Sequence, residues 1–349
     1  MSRQKNDPSA PRAVIFGCAG TTLTAEERAF FAEQNPLGFI LFGRNIETKD
    51  QVHALVRGLR DSVGRDDAPV LIDQEGGRVQ RLRPPVWRDH PPAARFGRLY
   101  GQDPEAALEA TRLNHRLIGA SLAELGIDVN CAPVLDLPVP GAHDVIGDRA
   151  FGTQPATVAA LAAAAIAGLA SAGVTAVMKH IPGHGRAMAD SHVRLPTVAA
   201  SGRDLRALDF APFRALRDCP WAMTAHIVYQ ALDPDRPATQ SPIVIGYVIR
   251  GEIGFAGVLV SDDLNMAALA GSMAARAEAA LAAGCDLVLH CSGDLADMAG
   301  LAPAVPAIGA ATARRLENAR QGIETGAEID IAATVRRLAR LMPDFANSE

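Results

Sequence analysis

Short apolar runs rich in Val, Ile and Leu recur along the chain, and a helical stretch follows each of them. Continuous apolar runs are typical of strands buried on both faces, as in a parallel sheet. Repeated strand-then-helix units therefore predict a parallel α/β fold. The eight runs are Ala13–Phe16, Gly38–Phe42, Val70–Asp73, Ile127–Ala132, Val174–Lys179, Ala222–His226, Val258–Ser261 and Asp286–His290.

Eight such units favour a single (β/α)8 TIM barrel over its competitor, a doubly wound open sheet. No G-x-G-x-x-G follows the first apolar run, which weakens the dinucleotide-binding form of that competitor. The chain has 349 residues but no interior linker or break in composition. We therefore predict one domain over residues 1–349, with a barrel core at about 13–300 and closing helices from about Ala302 to Ala346.

Polar residues cluster where the apolar runs stop. In an α/β barrel the active site forms at the carboxyl ends of the strands, so these side chains predict a shared polar mouth. They are Asp73, Asp136, Lys179 with His180, His226, and Asp262 with Asp263.

The first chemical motif runs from Leu71 to Arg81 and reads LIDQEGGRVQR. Asp73 ends a predicted strand, and Gly76-Gly77 lets the backbone turn sharply beside it. A carboxylate there can accept hydrogen bonds from two sugar hydroxyls, while Arg81 adds a planar donor fork. The simpler alternative is a turn with a surface charge cluster.

The second motif, VIGDRAFG at 145–152, places Arg149 in a loop bracketed by glycines. An ordinary loop salt bridge is the simpler interpretation of its Asp148-Arg149 pair.

The third motif covers 178–192 and reads MKHIPGHGRAMADSH. Its proline and glycines exclude a helix and favour a mobile loop. In an extended loop, Asp190 and His192 would point the same way, so the carboxylate could bond one imidazole nitrogen and leave the other to exchange a proton near neutral pH. A solvated loop histidine is the simpler alternative.

The fourth motif, GVLVSDDLNM at 257–266, carries Asp262 to the end of a strand. Adjacent strand residues face opposite sides, so we expect only one carboxylate of the Asp262-Asp263 pair in the mouth. Asp262 is then the candidate nucleophile or charge stabiliser, and Asp263 is expected to cap the next helix.

Together the four motifs, from Ala13 to Leu289, closely resemble family 3 glycoside hydrolases, and the nearest branch is the bacterial β-N-acetylglucosaminidases of cell-wall recycling. The resemblance implies that Asp262 is the nucleophile and that Asp190 and His192 form the general acid/base dyad. It also implies that five residues grip a terminal N-acetylglucosamine: Asp73, Arg81, Arg149, Lys179 and His180. One departure is Ile181, where the family often has an aromatic residue.

The resemblance implies a retaining exo-β-N-acetylglucosaminidase that removes N-acetylglucosamine from N-acetylglucosaminyl-anhydromuramoyl fragments and their peptides, with no cofactor and no metal. A retaining glycosidase needs a nucleophile and a proton donor, and a histidine oriented by an aspartate can serve as the donor. A histidine acid/base also permits phosphate as acceptor, so a phosphorylase stays open.

Two other classes stay open. A metal-dependent barrel hydrolase could use His180, His184, His192 and Asp190 as ligands, although metal ligands usually lie on rigid elements rather than in a Pro-Gly loop. A non-catalytic sugar-binding module is the other alternative, and the complete set of acid/base and nucleophile candidates speaks against it.

Charge and composition limit the binding partners and the cellular location that the sequence predicts. The net charge is −5 with scattered basic residues, which argues against nucleic acid. The start, Met1 to Arg12, lacks the apolar region of a secretory signal, and the Ala-rich segment Ala156–Ala172 is a poor membrane span. Five widely spaced cysteines without a C-x-x-C pair fit a reducing cytosol. We predict a cytoplasmic monomer or weak oligomer that does not bind membranes.

Overall fold

The strands of the computed structural model, which describes residues 10–191, 193–321 and 329–343, form a closed parallel barrel and one small sheet. Within these ranges the ten strands are β1 (Arg12–Gly17), β2 (Pro36–Leu41), β3 (Val70–Ile72), β4 (Val129–Asn130), β5 (Thr175–Ile181), β6 (Thr197–Val198), β7 (Trp221–Thr224), β8 (Val228–Tyr229), β9 (Val258–Asp263) and β10 (Leu287–His290).

The barrel closes in the order β1-β10-β9-β7-β5-β4-β3-β2, and every neighbouring pair is parallel. Closure occurs where Val14 pairs with Val288 and Ile15 with Leu289. The predicted (β/α)8 TIM barrel is therefore confirmed, and the doubly wound alternative is wrong. All eight predicted runs supply a barrel strand, although β4 is shorter than its run and β5 continues through Lys179 and His180.

Helices surround the barrel and are capped by ordinary sequence signals. Thr24 and Glu27 form a capping box at the first helix, and Asp103 caps a helix that begins with Pro104. The helices in the described ranges are α1 (Ala25–Gln34), α2 (Lys49–Val63), α3 (Ala93–Tyr100), α4 (Pro104–Glu124), α5 (Pro155–Ala170), α6 (Gly202–Asp204), α7 (Phe210–Ala215), α8 (Met273–Ala283), α9 (Leu295–Leu301), α10 (Ala310–Gln321) and α11 (Ile331–Leu341).

Two π-helical segments complete the outer layer. Leu205–Asp209 joins α6 to α7, and Ile243–Glu252 occupies the helical position between β7 and β9. The helices α10 and α11 lie in the segment predicted to close the barrel, and the prediction of one domain over the whole chain stays a prediction. Among the described residues, no helix is long and apolar enough to cross a membrane.

Candidate active site

A pocket of about 750 Å³, counted with its open mouth, lies at the carboxyl ends of the barrel strands. This is where catalytic sites of TIM barrels form. Its lining consists of Ile40, Phe42, Asp73, Val79, Arg81, Val145, Ile146, Arg149, Lys179, His180, His184, Ser191, Met223, Asp262, Asp263, Leu289 and Cys291. The structure thus brings together six predicted site residues: Asp73, Arg81, Arg149, Lys179, His180 and Asp262.

Asp73 is held between two cations. Its Oδ1 accepts a hydrogen bond from Lys179 Nζ at 2.8 Å, and its Oδ2 accepts one from Arg81 Nη2 at 2.9 Å. The guanidinium of Arg81 also lies 5.1 Å from the centre of the Phe42 ring, which fixes its plane. The alternative of a surface charge cluster is wrong, because Lys179 is 2% exposed and contacts Asp73 from β5, two strands away in the barrel.

Glu75 extends this network and was missed by the sequence argument. Its carboxylate accepts two hydrogen bonds from Arg149, at 2.8 and 2.9 Å, and its Oε1 lies 2.6 Å from Lys179 Nζ. The signal was in the sequence, since residues two apart in an extended segment point the same way and Glu75 follows Asp73 at that spacing.

The five groups alternate in charge: Arg81, Asp73, Lys179, Glu75 and Arg149. Burial alone would raise the pKa of Asp73, but Lys179 and Arg81 hold that pKa well below its usual range. Burial likewise opposes ionisation of Glu75, while Arg149 and Lys179 lower its pKa to about 2. The pocket wall is therefore a set of permanently charged, fixed donors and acceptors at neutral pH.

The turn after Asp73 depends on glycine, as the sequence predicts. Gly76 and Gly77 have φ values of +102° and +57°, and a Cβ on Gly76 would lie 2.5 Å from the carbonyl oxygen of Pro91. Such backbone is strained for any other residue.

The second motif is a loop that presents Arg149 from a 3₁₀ turn, Gly147–Arg149. Arg78 lies 3.1 Å from Asp148, so the ordinary salt bridge exists, but it involves Asp148 rather than Arg149. Arg78 also donates hydrogen bonds to backbone carbonyls of this loop, including that of Ile146 at 3.1 Å. The surface pair thus supports the loop, and Arg149 faces the pocket.

His180 is oriented by Asp136, which is completely buried. The Nδ1 of His180 lies 2.7 Å from Asp136 Oδ2, and Asp136 Oδ1 accepts the backbone N–H of His184 at 2.6 Å. Burial opposes the charge on Asp136, but His180 and the backbone N–H of His184 hold its pKa below the usual range. Burial lowers the pKa of His184 to about 4, so its imidazole is neutral at pH 7.

Lys179 and His180 are adjacent in β5 yet both line the pocket. The pairing of β5 with β7 is irregular between Lys179 and Ile181, so the simple alternation of faces is interrupted there.

Asp262 is half-buried and forms part of the pocket wall, and its Oδ1 accepts the backbone N–H of Asp263 at 2.8 Å. The expectation that Asp263 would leave the mouth and cap the next helix is wrong. Asp263 also borders the pocket, and Ser272 caps α8. The carboxylate of Asp263 instead accepts backbone N–H groups of Asn265 and Cys291, both at 3.1 Å, which ties two loops together.

His226, placed in the predicted polar mouth, is buried and lies outside the pocket lining. Its Nδ1 lies 2.7 Å from Thr239 Oγ1, and its Nε2 lies 3.0 Å from the carbonyl oxygen of Asp263. His226 therefore contacts the backbone next to Asp262 and does not face the pocket.

The loop after β5 brings Ser191 to the pocket, and the candidate dyad belongs to this loop. The carbonyl oxygen of Asp190 accepts the N–H groups of Val193 and Arg194, at 3.0 and 3.1 Å, so the backbone turns there. The assumption of an extended loop was therefore wrong. His192 lies outside the described residues, and the dyad itself stays a prediction.

Replacing Glu75 with Gln keeps its shape but leaves Arg149 without its buried partner charge and leaves Lys179 paired with Asp73 alone. Breaking such a pair is expected to reduce the free energy of unfolding by about 3–5 kcal/mol. Because the pKa of Glu75 falls from 4.5 to about 2 on folding, its stabilisation is complete above pH 4.5 and is lost as the pH falls toward 2.

Urea unfolding at several pH values tests this prediction. Between pH 4.5 and 2 the free energy of unfolding of the wild type should fall more steeply than that of Glu75→Gln. Glu109→Gln is the control, since Glu109 makes the same two-bond contact with Arg337 on the surface and its loss should matter far less. Equal slopes for wild type and Glu75→Gln would contradict the prediction.

The sequence and the structure were compared with those of known proteins. The family model described as "Glycosyl hydrolase family 3 N terminal domain" matches residues 14–335. A β-hexosaminidase of Alkalilimnicola ehrlichii is 42% identical over 283 residues, which cover 80% of this chain and 80% of the relative.

Two solved structures are similar over nearly the whole chain. NagZ from Neisseria gonorrhoeae in complex with N-trifluoroacetyl-D-glucosamine has a TM-score of 0.84 and 32% identity, covering 95% of this chain and 98% of that one. A family 3 β-N-acetylglucosaminidase from Paenibacillus sp. str. FPU-7 has a TM-score of 0.82 and 31% identity, covering 97% of this chain and 68% of that one.

The chain belongs to glycosyl hydrolase family 3 and is a glycoside hydrolase, as its motifs predict. Its resemblance to the β-N-acetylglucosaminidase branch is also confirmed, since the Alkalilimnicola relative is named a β-hexosaminidase and the Paenibacillus neighbour a β-N-acetylglucosaminidase. The non-catalytic sugar-binding alternative is not supported.

Proposed function

We propose that this protein is a retaining exo-β-N-acetylglucosaminidase that releases terminal N-acetylglucosamine through a covalent intermediate on Asp262. The observation that carries the proposal is the fixed network of Arg81, Asp73, Lys179, Glu75 and Arg149 beside a pocket-lining carboxylate. Such a wall binds one sugar in one orientation, because every donor and acceptor is already held by a neighbour.

Sugar recognition follows from the chemistry of these groups. Each oxygen of the Asp73 carboxylate accepts one protein hydrogen bond and retains lone pairs for sugar hydroxyls. Lys179, Arg81 and His180 line the same pocket and carry N–H groups that can donate to sugar oxygens. Arg149 is held by Glu75 on one edge of its guanidinium. Its role in binding the N-acetylglucosamine is assigned by resemblance to the family.

The reaction proceeds in two displacements. A carboxylate oxygen of Asp262 bonds to the anomeric carbon as the glycosidic bond breaks, and His192 gives its proton to the leaving oxygen. His192 then removes a proton from water, which attacks the anomeric carbon, breaks the ester to Asp262 and releases the sugar with its original configuration. Asp190 is assigned the role of orienting His192 and stabilising its charged form.

We assign peptidoglycan turnover fragments as the natural substrates, namely N-acetylglucosaminyl-anhydromuramoyl sugars and their peptides. Two lines support this assignment: the resemblance to the cell-wall-recycling branch and the similarity to NagZ, whose structure contains an N-acylglucosamine. A cytoplasmic location and a monomeric or weakly oligomeric state stay predictions.

Substrate and stereochemistry are tested together. Incubation with 4-nitrophenyl β-N-acetylglucosaminide should release nitrophenol, whereas the matched β-glucoside should react at least 100-fold more slowly, because it lacks the acetamido group. Early NMR spectra should show the β-anomer of N-acetylglucosamine first. An α-anomer would refute retention, and N-acetylglucosamine 1-phosphate formed in phosphate buffer would identify a phosphorylase.

The metal-dependent alternative has a weaker structural basis. Within the described residues, no group of three or more His, Cys, Asp or Glu side chains could hold a metal ion. Of its proposed ligands, His180 contacts Asp136 through Nδ1, and His184 contacts Ser191 Oγ at 3.2 Å through Nε2. Activity lost in chelator and restored by zinc would favour this alternative.

A further inference from the structure

The beginning of the loop after β5 is attached to the outer helical layer by an ion pair. Arg186 Nε donates a hydrogen bond to Asp209 Oδ2 at 2.7 Å. Asp209 ends the π-helical segment Leu205–Asp209 and its side chain is 2% exposed, while that of Arg186 is 18% exposed. Neither residue belongs to the pocket lining, so the pair is not part of the pocket wall.

A second contact holds the same point of the loop. Tyr229 is completely buried, and its hydroxyl donates a hydrogen bond to the carbonyl oxygen of Gly183 at 2.7 Å. Gly183 has a φ of +139°, and a Cβ there would lie 3.0 Å from Asp209 Cβ. The loop backbone therefore packs directly on Asp209, and Arg186 reaches over the same residue.

Asp190 lies between two tethered parts of this loop. On one side the carbonyl oxygen of Ala187 accepts the N–H of His143 at 2.9 Å. On the other, the carbonyl oxygen of Ser191 accepts the N–H of Ala268 at 3.2 Å, and Ser191 Oγ lies 3.2 Å from His184 Nε2. The placement of Asp190 thus depends on how the segment before it is anchored.

We propose that the Arg186–Asp209 ion pair positions the loop that carries Asp190 and His192, and thereby sets the efficiency of proton transfer to the leaving oxygen. The pair touches no substrate, so both members are positioning residues. The inference rests on the proposed function only in placing the acid on this loop. A displacement of about 1 Å far from the chemistry can reduce rates roughly 100-fold, so the loss of one anchor is measurable.

The chain offers a matched control. Arg206 lies on the same π-helical segment as Asp209 and makes two hydrogen bonds of 2.7 Å to Glu252. This pair links the segment to the neighbouring π helix, not to the loop. Arg206→Leu therefore removes an ion pair from the same helical layer without releasing the loop.

The experiment measures kcat/KM for aryl β-N-acetylglucosaminides whose phenols range from good to poor leaving groups. Arg186→Leu should lose about 10–100-fold on the poorest leaving group but under about 3-fold on the dinitrophenyl substrate, since good leaving groups need little protonation. Arg186→Lys should recover most of the loss. Asp209→Asn should reproduce it with less change in packing, which covers the case in which Arg186→Leu folds poorly.

Arg206→Leu should keep the wild-type dependence on the leaving group, even if its melting temperature falls. Equal losses on all substrates for both Arg186→Leu and Asp209→Asn would overturn the proposal. If His192→Ala lost kcat/KM equally on all leaving groups, His192 would not be the acid. In that case, a loss for Arg186→Leu that grows as the leaving group becomes poorer would still support positioning of another acid on the loop. An equal loss on all leaving groups would overturn the proposal.

Discussion

Asp262→Ala is expected to reduce kcat on 4-nitrophenyl β-N-acetylglucosaminide by roughly 10⁴-fold or more, because an alanine side chain cannot form the glycosyl ester. The fold should survive. Asp262 is half-buried, and its Oδ1 accepts a hydrogen bond from the N–H of Asp263, a contact that contributes about 0.5–1.5 kcal/mol. Steady-state kinetics and urea unfolding of the same preparation measure both effects.

Asp263→Asn is the informative comparison for this prediction. Asp263 borders the same pocket, but its carboxylate accepts the N–H groups of Asn265 and Cys291 and holds two loops together. Its replacement should lower stability and leave far more activity than Asp262→Ala. The reverse order of activities would assign the nucleophile to Asp263.

His192→Ala is expected to slow substrates with poor leaving groups roughly 10²–10⁴-fold, while dinitrophenyl glycosides lose much less. The reason is that a phenolate of low basicity departs without a proton, whereas a sugar alkoxide does not. Asp190→Ala should show the same pattern in milder form, since it affects the acid only through His192. The measurement is kcat/KM across a series of aryl leaving groups.

If added azide restored the turnover of His192→Ala, this would support His192 as the acid/base, because azide can attack the glycosyl-enzyme without base catalysis. A uniform loss on good and poor leaving groups would show that His192 does not protonate the leaving oxygen. The metal-dependent alternative would then regain weight, since it uses His192 and Asp190 as ligands.

The barrel could be predicted because its strands are continuous apolar runs. The residues Val70–Ile72 and Val258–Ser261 are buried throughout, so hydrophobicity marks these strands directly. The two-stranded sheet of β6 and β8 has two residues per strand, Thr197–Val198 and Val228–Tyr229, and no periodicity can mark so short an element.

The site was predictable wherever a motif combined residue type with strand position, as at Asp73 and Asp262. Glu75 was missed because its partners lie 74 and 104 residues away in sequence, at Arg149 and Lys179. Asp136 was placed in the polar mouth but given no role, since its contact with His180 depends on how two neighbouring strands end in space.

The errors came from assuming regular backbone. Strict alternation would put Asp262 and Asp263 on opposite faces, yet both border the pocket at the end of β9, where the pairing with β10 is irregular. The extended loop assumed for Asp190 instead turns, because its carbonyl accepts two N–H groups from the following residues. Local hydrogen bonding overrides periodicity where a strand ends and a loop begins.

The central claim is that Asp262 forms a covalent bond with the sugar. The most direct test is inactivation by a 2-acetamido-2-deoxy-5-fluoro glycosyl fluoride followed by peptide mass spectrometry, since the fluorine slows hydrolysis of the intermediate. We expect time-dependent loss of activity, one adduct per chain, and fragment ions that place the label on Asp262. A label on any other residue, or no adduct in an enzyme that turns over normally, would contradict the account.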